Sequence, residues 1–199
     1  MRTMNQAIGT AVMLIAVFVP GLAAAAGAGV GDKAPDFSLT DQDGNTVTLS
    51  EITGVRVLEW TNPDCPFVQR HTREGTMKEL AAKYAPEGVT WLTINSTHYM
   101  NREKDREWRS EHHLTPPILG DFDGEVGHAY GAETTPHMFV IASDGTIVYK
   151  GAIDDDPRGT KAGADRTNYV AQALDQVLAG KTVTTPETRP YGCSVKYRK

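Results

Sequence analysis

Sulfur is scarce in this chain, with two cysteines, Cys65 and Cys193, among 199 residues. Any internal disulfide therefore has trivial connectivity, and spacing alone does not separate a structural staple from a redox pair. Metal-binding spacing is missing too. There is no HxxxH or CxxxC pattern, and the adjacent pair His112-His113 does not share a helix face. Nor is there a phosphate loop, a glycine-rich dinucleotide fingerprint or a Ser-His-Asp order. Positive charge is in deficit, with 20 Lys and Arg against 25 Asp and Glu. That balance disfavours nucleic acid and anionic lipid surfaces as partners. Beyond the first thirty residues no run is apolar enough to cross a bilayer.

The opening of the chain has the pattern of an export signal. Arg2 supplies positive charge, Ala7 to Val19 is apolar, and Pro20-Gly21 precedes the small residues Ala23 to Gly29. A basic end, a short apolar run and an A-x-A site describe a secretory signal peptide cleaved after Ala26 or Ala28. No cysteine lies near that site, so lipid attachment there is excluded. The expected organisation is a signal at 1–28, a domain at 31–180 and a tail at 181–199 carrying Cys193. The remaining length of about 170 residues suffices for one well-buried core. The mature protein is expected outside the cytoplasm, periplasmic or secreted, with no membrane association after cleavage.

Local patterns give an alternating order of elements. Phe37-Ser38-Leu39 and Val47-Thr48-Leu49 flank Asp43-Gly44 and predict a β-hairpin. Val55 to Trp60 and Val89 to Asn95 are β-branched runs expected as buried strands. Pro66 opens a helix with Met77, Leu80, Ala81 and Tyr84 at helical spacing, ended by Pro86 and Gly88. Asn101 caps a charged helix reaching about His113, expected on the surface. Its stripe of Lys104, Trp108 and His112 suits ordinary docking. A short strand at Ile118-Leu119 and a helical turn at Val126 to Tyr130 follow. Met138 to Ala142 and Thr146 to Tyr149 make a second hairpin about Ser143-Asp144-Gly145. Asp154-Asp155-Asp156 lacks calcium-loop spacing and predicts a solvated acidic turn. Tyr169 to Leu178 is an amphipathic helix stopped by Gly180. Strand–helix–strand units imply parallel pairing, and the hairpins add antiparallel strands.

Cys65 is the most informative residue. It stands between a strand and a helix that Pro66 begins, where free backbone N–H groups and the helix dipole stabilise a thiolate. The bland alternative is a small buried hydrophobe. The order of strand, Cys-Pro, helix and later Thr-Pro resembles the thioredoxin superfamily. The stretch Trp60 to Val68 and the tail Gly192-Cys193-Ser194-Val195-Lys196-Tyr197 resemble its redoxin group, which includes alkyl hydroperoxide reductase/thiol-specific antioxidant proteins. That likeness implies an α/β thioredoxin-like fold, a mixed sheet flanked by helices, with an N-terminal β-hairpin extension. It implies a thiol-dependent oxidoreductase, by thiol–disulfide exchange or peroxide reduction, without a cofactor or metal. Thiol or disulfide proteins, and peroxide, are the implied partners.

The resemblance also assigns residues. Cys65 is the redox-active sulfur, expected to ionise easily and to be alkylated faster than Cys193. Asn62 stands where the two-cysteine pattern has its first thiol. Cys193 is expected to supply the missing second thiol if the tail folds back over the helix start; the rival readings are a permanent staple, or a Cys193 that sits apart while Cys65 works with an external thiol. Thr135-Pro136 is expected as a cis bond facing Cys65, with Thr135 offering its backbone to substrate. Glu59 is a candidate proton shuttle or a strand-end acid reaching solvent. His137 either tunes the thiol or is a bystander. A non-catalytic binding module with a structural disulfide is the rival from another class.

Overall fold

The computed structural model describes residues 27–161 and 163–198. Most of the expected signal therefore lies outside the described residues. Its last two positions do not: the Ala28 N–H donates to the Ala129 carbonyl at 3.0 Å, and Lys150 Nζ donates to the Ala28 carbonyl at 3.2 Å.

Seven strands form the main sheet. In chain order they are β1 (Ser38–Asp41), β2 (Thr46–Thr48), β3 (Val55–Trp60), β4 (Val89–Asn95), β5 (Ile118–Gly120), β7 (His137–Ile141) and β8 (Ile147–Gly151). Their spatial order is β2-β1-β5-β4-β3-β7-β8. The three central neighbours, β5, β4 and β3, run parallel, and the flanking pairs run antiparallel. Two residues of β6 (Thr134–Thr135) pair instead with β9 (Cys193–Ser194) as a small second sheet.

Both faces of the main sheet are buried, which is why β3 and β4 read as continuous apolar runs. Val55, Val57, Trp91, Met138 and Val140 pack on one face against α2 (Thr76–Tyr84) and α5 (Tyr169–Leu178). On the other face, Leu58, Trp60, Ile94, Phe139 and Ile141 meet Phe37 and Tyr130, the last residue of α4 (Glu125–Tyr130). Each fully buried Leu, Ile or Phe contributes about 2 kcal/mol by removal from water.

Three local expectations are corrected. The helix after Pro66 is two helices, α1 (Pro66–Glu74) and α2, because Gly75 takes a left-handed conformation and its N–H caps the His71 and Thr72 carbonyls. The charged helix α3 (Arg102–Glu111), capped by Asn101 as its sequence predicts, is not wholly superficial. Its Asp105 is fully buried and accepts a 2.6 Å hydrogen bond from Asn95 Nδ2. The acidic turn is not solvated throughout either. Asp154 and Asp156 are buried, the first bonded to Tyr191 and the second accepting the N–H groups of Thr160 and Lys161 at 2.9 Å.

Candidate active site

The loop before α1 is shaped by Asn62. Its Oδ1 accepts the Asp64 N–H at 2.9 Å, an Asx turn, and its carbonyl accepts the Cys65 N–H at 2.9 Å. Cys65 is then the N-cap of α1, and Pro66 takes the first helical position. Asn62 is itself 2% exposed and braces the turn from inside.

Across from the helix start lies the cis Thr135-Pro136 bond, as the family resemblance implies. The Cys65 thiol donates to the Thr135 carbonyl at 2.9 Å. Antiparallel pairing of β6 with β9 sets Cys193 directly opposite Thr135. The tail reaches this position because residue 192 is glycine. A Cβ there would stand 2.1 Å from the Thr135 carbonyl oxygen, and φ is +149°. Further along, the Val195 N–H donates to Glu133 O at 3.0 Å, the His98 N–H to Lys196 O at 2.9 Å, and the Tyr197 hydroxyl to Ala132 O at 2.8 Å. Tyr191, Val195 and Tyr197, which offer apolar surface in the sequence, are the residues that seat the tail.

Both cysteines are free thiols, and their sulfurs interact. Burial opposes ionisation of Cys65. Hydrogen bonding from Thr135, the Val68 N–H and the Cys193 thiol and N–H outweighs it, and the Cys65 pKa falls below its ordinary value. Cys193 moves oppositely, pushed up to about 11 by burial, by the hydrogen bond it gives Cys65 and by repulsion from that sulfur. The expected direction for Cys65 therefore agrees. Accessibility weighs against the faster alkylation expected of it: Cys65 is 1% exposed, whereas Cys193 is partly exposed. The tail and Thr135 cover the sulfur that the sequence marks as the reactive one.

Glu59 points away from solvent. It is 6% exposed, accepts from Trp91 Nε1 at 2.9 Å, and is raised to about 7 by burial, which its hydrogen bonds from Trp91 and Thr93 only partly oppose. With Thr61, Val68, His71 and Trp108 it lines an apolar-walled cavity of about 30 Å³ beneath α1, room for one water. His137 sits elsewhere. It pairs with Trp60 on the opposite face of β3, stacks within 4.7 Å of Phe139, and takes the Glu133 N–H on Nδ1. Strand alternation after Pro136 turns it away from Cys65, and burial depresses its pKa to about 3.

One constellation escaped the sequence reading. His71 on α1 meets the hydroxyl of Tyr191 at 3.0 Å, Arg70 donates to that hydroxyl at 3.2 Å, and the hydroxyl donates to Asp154. This network ties the active-site helix to the tail two residues before Cys193. Nothing local in the sequence links positions 120 residues apart, and the pairing becomes visible only once β9 is placed.

A cysteine starting a helix against a cis-proline, on a mixed sheet with helices on both faces, defines a thioredoxin-like protein, and solved neighbours share that fold. The chain belongs to the AhpC/TSA family, whose model matches residues 30–150. It is 30% identical over 126 residues to a Mycobacterium tuberculosis protein described as a candidate peroxiredoxin, an overlap covering 63% of this chain and 78% of that one. It is 33% identical over 120 residues to the thiol-disulfide oxidoreductase ResA of Geobacillus thermodenitrificans, covering 59% and 66%. An uncharacterized conserved protein of Geobacillus kaustophilus superposes with a TM-score of 0.77 at 31% identity, covering 85% of this chain and 92% of that one.

Proposed function

We propose that this protein is an exported thiol–disulfide oxidoreductase in which Cys65 and Cys193 cycle between dithiol and disulfide. The observation that carries the reading is the pairing of Thr135 with Cys193, which brings a second thiol onto Cys65 although position 62 has none. In the oxidising half-cycle the tail lifts from Thr135 to uncover Cys65, whose thiolate attacks a sulfur of the substrate disulfide, and the substrate S–S bond breaks. One substrate sulfur leaves as a thiolate and takes a proton. Cys193, deprotonated, then attacks Cys65 in the mixed disulfide and releases the second substrate thiolate. Two electrons pass to the substrate, and the Cys65–Cys193 bond is the product. Glu59, near neutrality in its pKa, is a buried proton acceptor lining the cavity beneath the helix. Thr135 and Pro136 form the wall beside the sulfur; Asn62 and Pro66 fix its position. Thiol or disulfide proteins are the partners, and neither cofactor nor metal is required.

Peroxide reduction is the second reading, favoured by the mycobacterial relative's name. There Cys65 takes an oxygen from hydrogen peroxide, releasing water, and Cys193 displaces hydroxide from the sulfenic acid. Rates of Cys65 oxidation by hydrogen peroxide and by a disulfide-bonded peptide separate the two. In either case intact-mass analysis of thiol-trapped protein should show a reversible loss of both thiols. Cys193→Ser should permit the first oxidation and stop turnover with a dithiol reductant. A Cys65–Cys193 bond that resists dithiothreitol in the folded protein would instead mark a structural staple. For export, cleavage after Ala26 is the expected processing, since it keeps the Ala28 contacts; a mature mass beginning at Gly29 would contradict it.

A further inference from the structure

The two sulfurs differ in what can reach them. Cys65 is 1% exposed, closed in by the Thr135 carbonyl on one side and its own helix on the other. Cys193 is partly exposed, and Ser194 and Lys196 beside it are open to solvent. We infer that, in the oxidised protein, a partner's thiolate attacks Cys193 and that the partner–protein mixed disulfide forms there, with buried Cys65 as the leaving group. This rests on the dithiol–disulfide cycle proposed above.

Three observations carry the inference. A thiolate must approach the attacked sulfur along the S–S axis from behind. Cys65, 1% exposed with its thiol bonded to the Thr135 carbonyl, offers no such approach, whereas Cys193 is partly exposed between Gly192 and the exposed Ser194. The second observation is the fastening of the tail. Uncovering Cys65 would break the bonds at Val195, Lys196 and Tyr197 and lift Val195, 8% exposed, out of the core. Attack on Cys193 requires none of this. The third is the leaving group. Hydrogen bonding from the Val68 N–H and the tail favours a departing Cys65 thiolate, and exchange is faster when the leaving thiol is the more acidic. Lys196 adds an exposed positive charge near Cys193, suited to an incoming thiolate.

The exchange balances. The partner thiolate forms a bond to Cys193 Sγ as the Cys65–Cys193 bond breaks, and Cys65 leaves as a thiolate. The partner's second thiol, deprotonated, attacks the partner sulfur in the mixed disulfide. Cys193 departs and takes a proton, and two electrons have moved from the partner dithiol to the protein. Position 62, where a two-cysteine pattern would place an accessible thiol, holds a buried asparagine. Cys193 takes over the partner-facing role from a different part of the chain.

Oxidised wild-type protein mixed with reduced glutathione, quenched in acid within milliseconds and mapped by peptide mass spectrometry tests this. Glutathione should be found on Cys193 in roughly tenfold excess over Cys65. Glutathione mainly on Cys65 would overturn the inference while leaving the dithiol cycle intact. Failure of oxidised glutathione to form any Cys65–Cys193 bond would overturn the cycle and the inference together. A second arm loosens the tail: Val195→Pro removes the N–H bonded to Glu133 without touching either sulfur. Reduction of its disulfide should proceed within about twofold of wild type, because tail release does not gate access. An acceleration of about tenfold would show that it does.

Discussion

Gly192 and Asp105 show how single positions set the behaviour of the site and of the fold around it. At Gly192 the tail backbone passes so close to the Thr135 carbonyl that any Cβ collides with it. Gly192→Ala is expected to strain the docked tail by about 1–3 kcal/mol and raise its open population. Iodoacetamide labelling of Cys65 should then accelerate several-fold over wild type; unchanged labelling would show that the tail does not shield the thiol. Asp105 acts through charge. Burial raises its pKa to about 7, against the stabilising bond from Asn95, and its Oδ2 is without a hydrogen-bond partner. A carboxyl whose pKa is higher folded than unfolded stabilises fully below its unfolded value near 4. That contribution is lost as the pH rises through 7. Asp105→Asn keeps an acceptor for Asn95 and removes the titration. Urea unfolding should show little gain at pH 4 and a gain on the order of 2–4 kcal/mol at pH 8. An equal effect at both pH values would mean that the charge is not what matters.

Among the elements, α1 and the tail behave as one unit through Tyr191. Its hydroxyl serves His71, Arg70 and Asp154 together, and burial and Arg70 hold the His71 pKa near 4 despite the attraction of Asp154. Tyr191→Phe leaves those buried groups short of a partner, which costs about 1–3 kcal/mol. The loss should appear as a lower denaturation midpoint with an unchanged m-value and as faster amide exchange at Val195. A midpoint within error of wild type would detach the network from tail docking. The legibility of these elements in the sequence follows from the range of the forces that make them. β3, β4 and α5 have the bounds that their patterns predict, because alternation, β-branching and a 3.6-residue apolar stripe are local. Pro66 and Asn101 announce their helix starts for the same reason. What was not legible is set by distance along the chain. The burial of Cys65 depends on a strand 128 residues later, Asp105 on a neighbouring strand, and the Asp154 turn on a tyrosine in the tail. Gly75 was readable in principle, since a glycine between two helical stretches is a capping signal. The spacing of Met77, Leu80 and Tyr84 concealed it by continuing the helical pattern beyond. For the site itself, the pair Cys65 and Thr135-Pro136 followed from the family pattern, whereas the facing of His137 required the strand register.

At the scale of the whole molecule, the tail closes a long circuit among the described residues. It leaves α5 on one face of the sheet, passes β8 through the bond from the Lys150 N–H to Pro186 O, and ends against β6 and the loop at His98. A bond between Cys65 and Cys193 therefore joins residues 128 positions apart. Constraining a loop of that length lowers the entropy of the unfolded chain by an amount equivalent to about 4–5 kcal/mol in the chain-entropy model. The folded state gives little of this back, because pairing with Thr135 already holds Cys193 beside Cys65. Oxidation should therefore stabilise the native protein. For a domain of this size that amounts to a rise in Tm of about 10 °C or more. Differential scanning calorimetry of the oxidised and reduced wild type measures the shift. Cys193→Ser, which cannot close the circuit, should melt at the same temperature with and without oxidant. If the oxidised and reduced proteins melt together, the tail is as tightly ordered in the unfolded reference as in the native fold, or the bond strains the native site by as much as it constrains the chain. Crystallography of the oxidised form separates these: strain would displace β9 from Thr135, whereas an unstrained bond would leave the pairing in place.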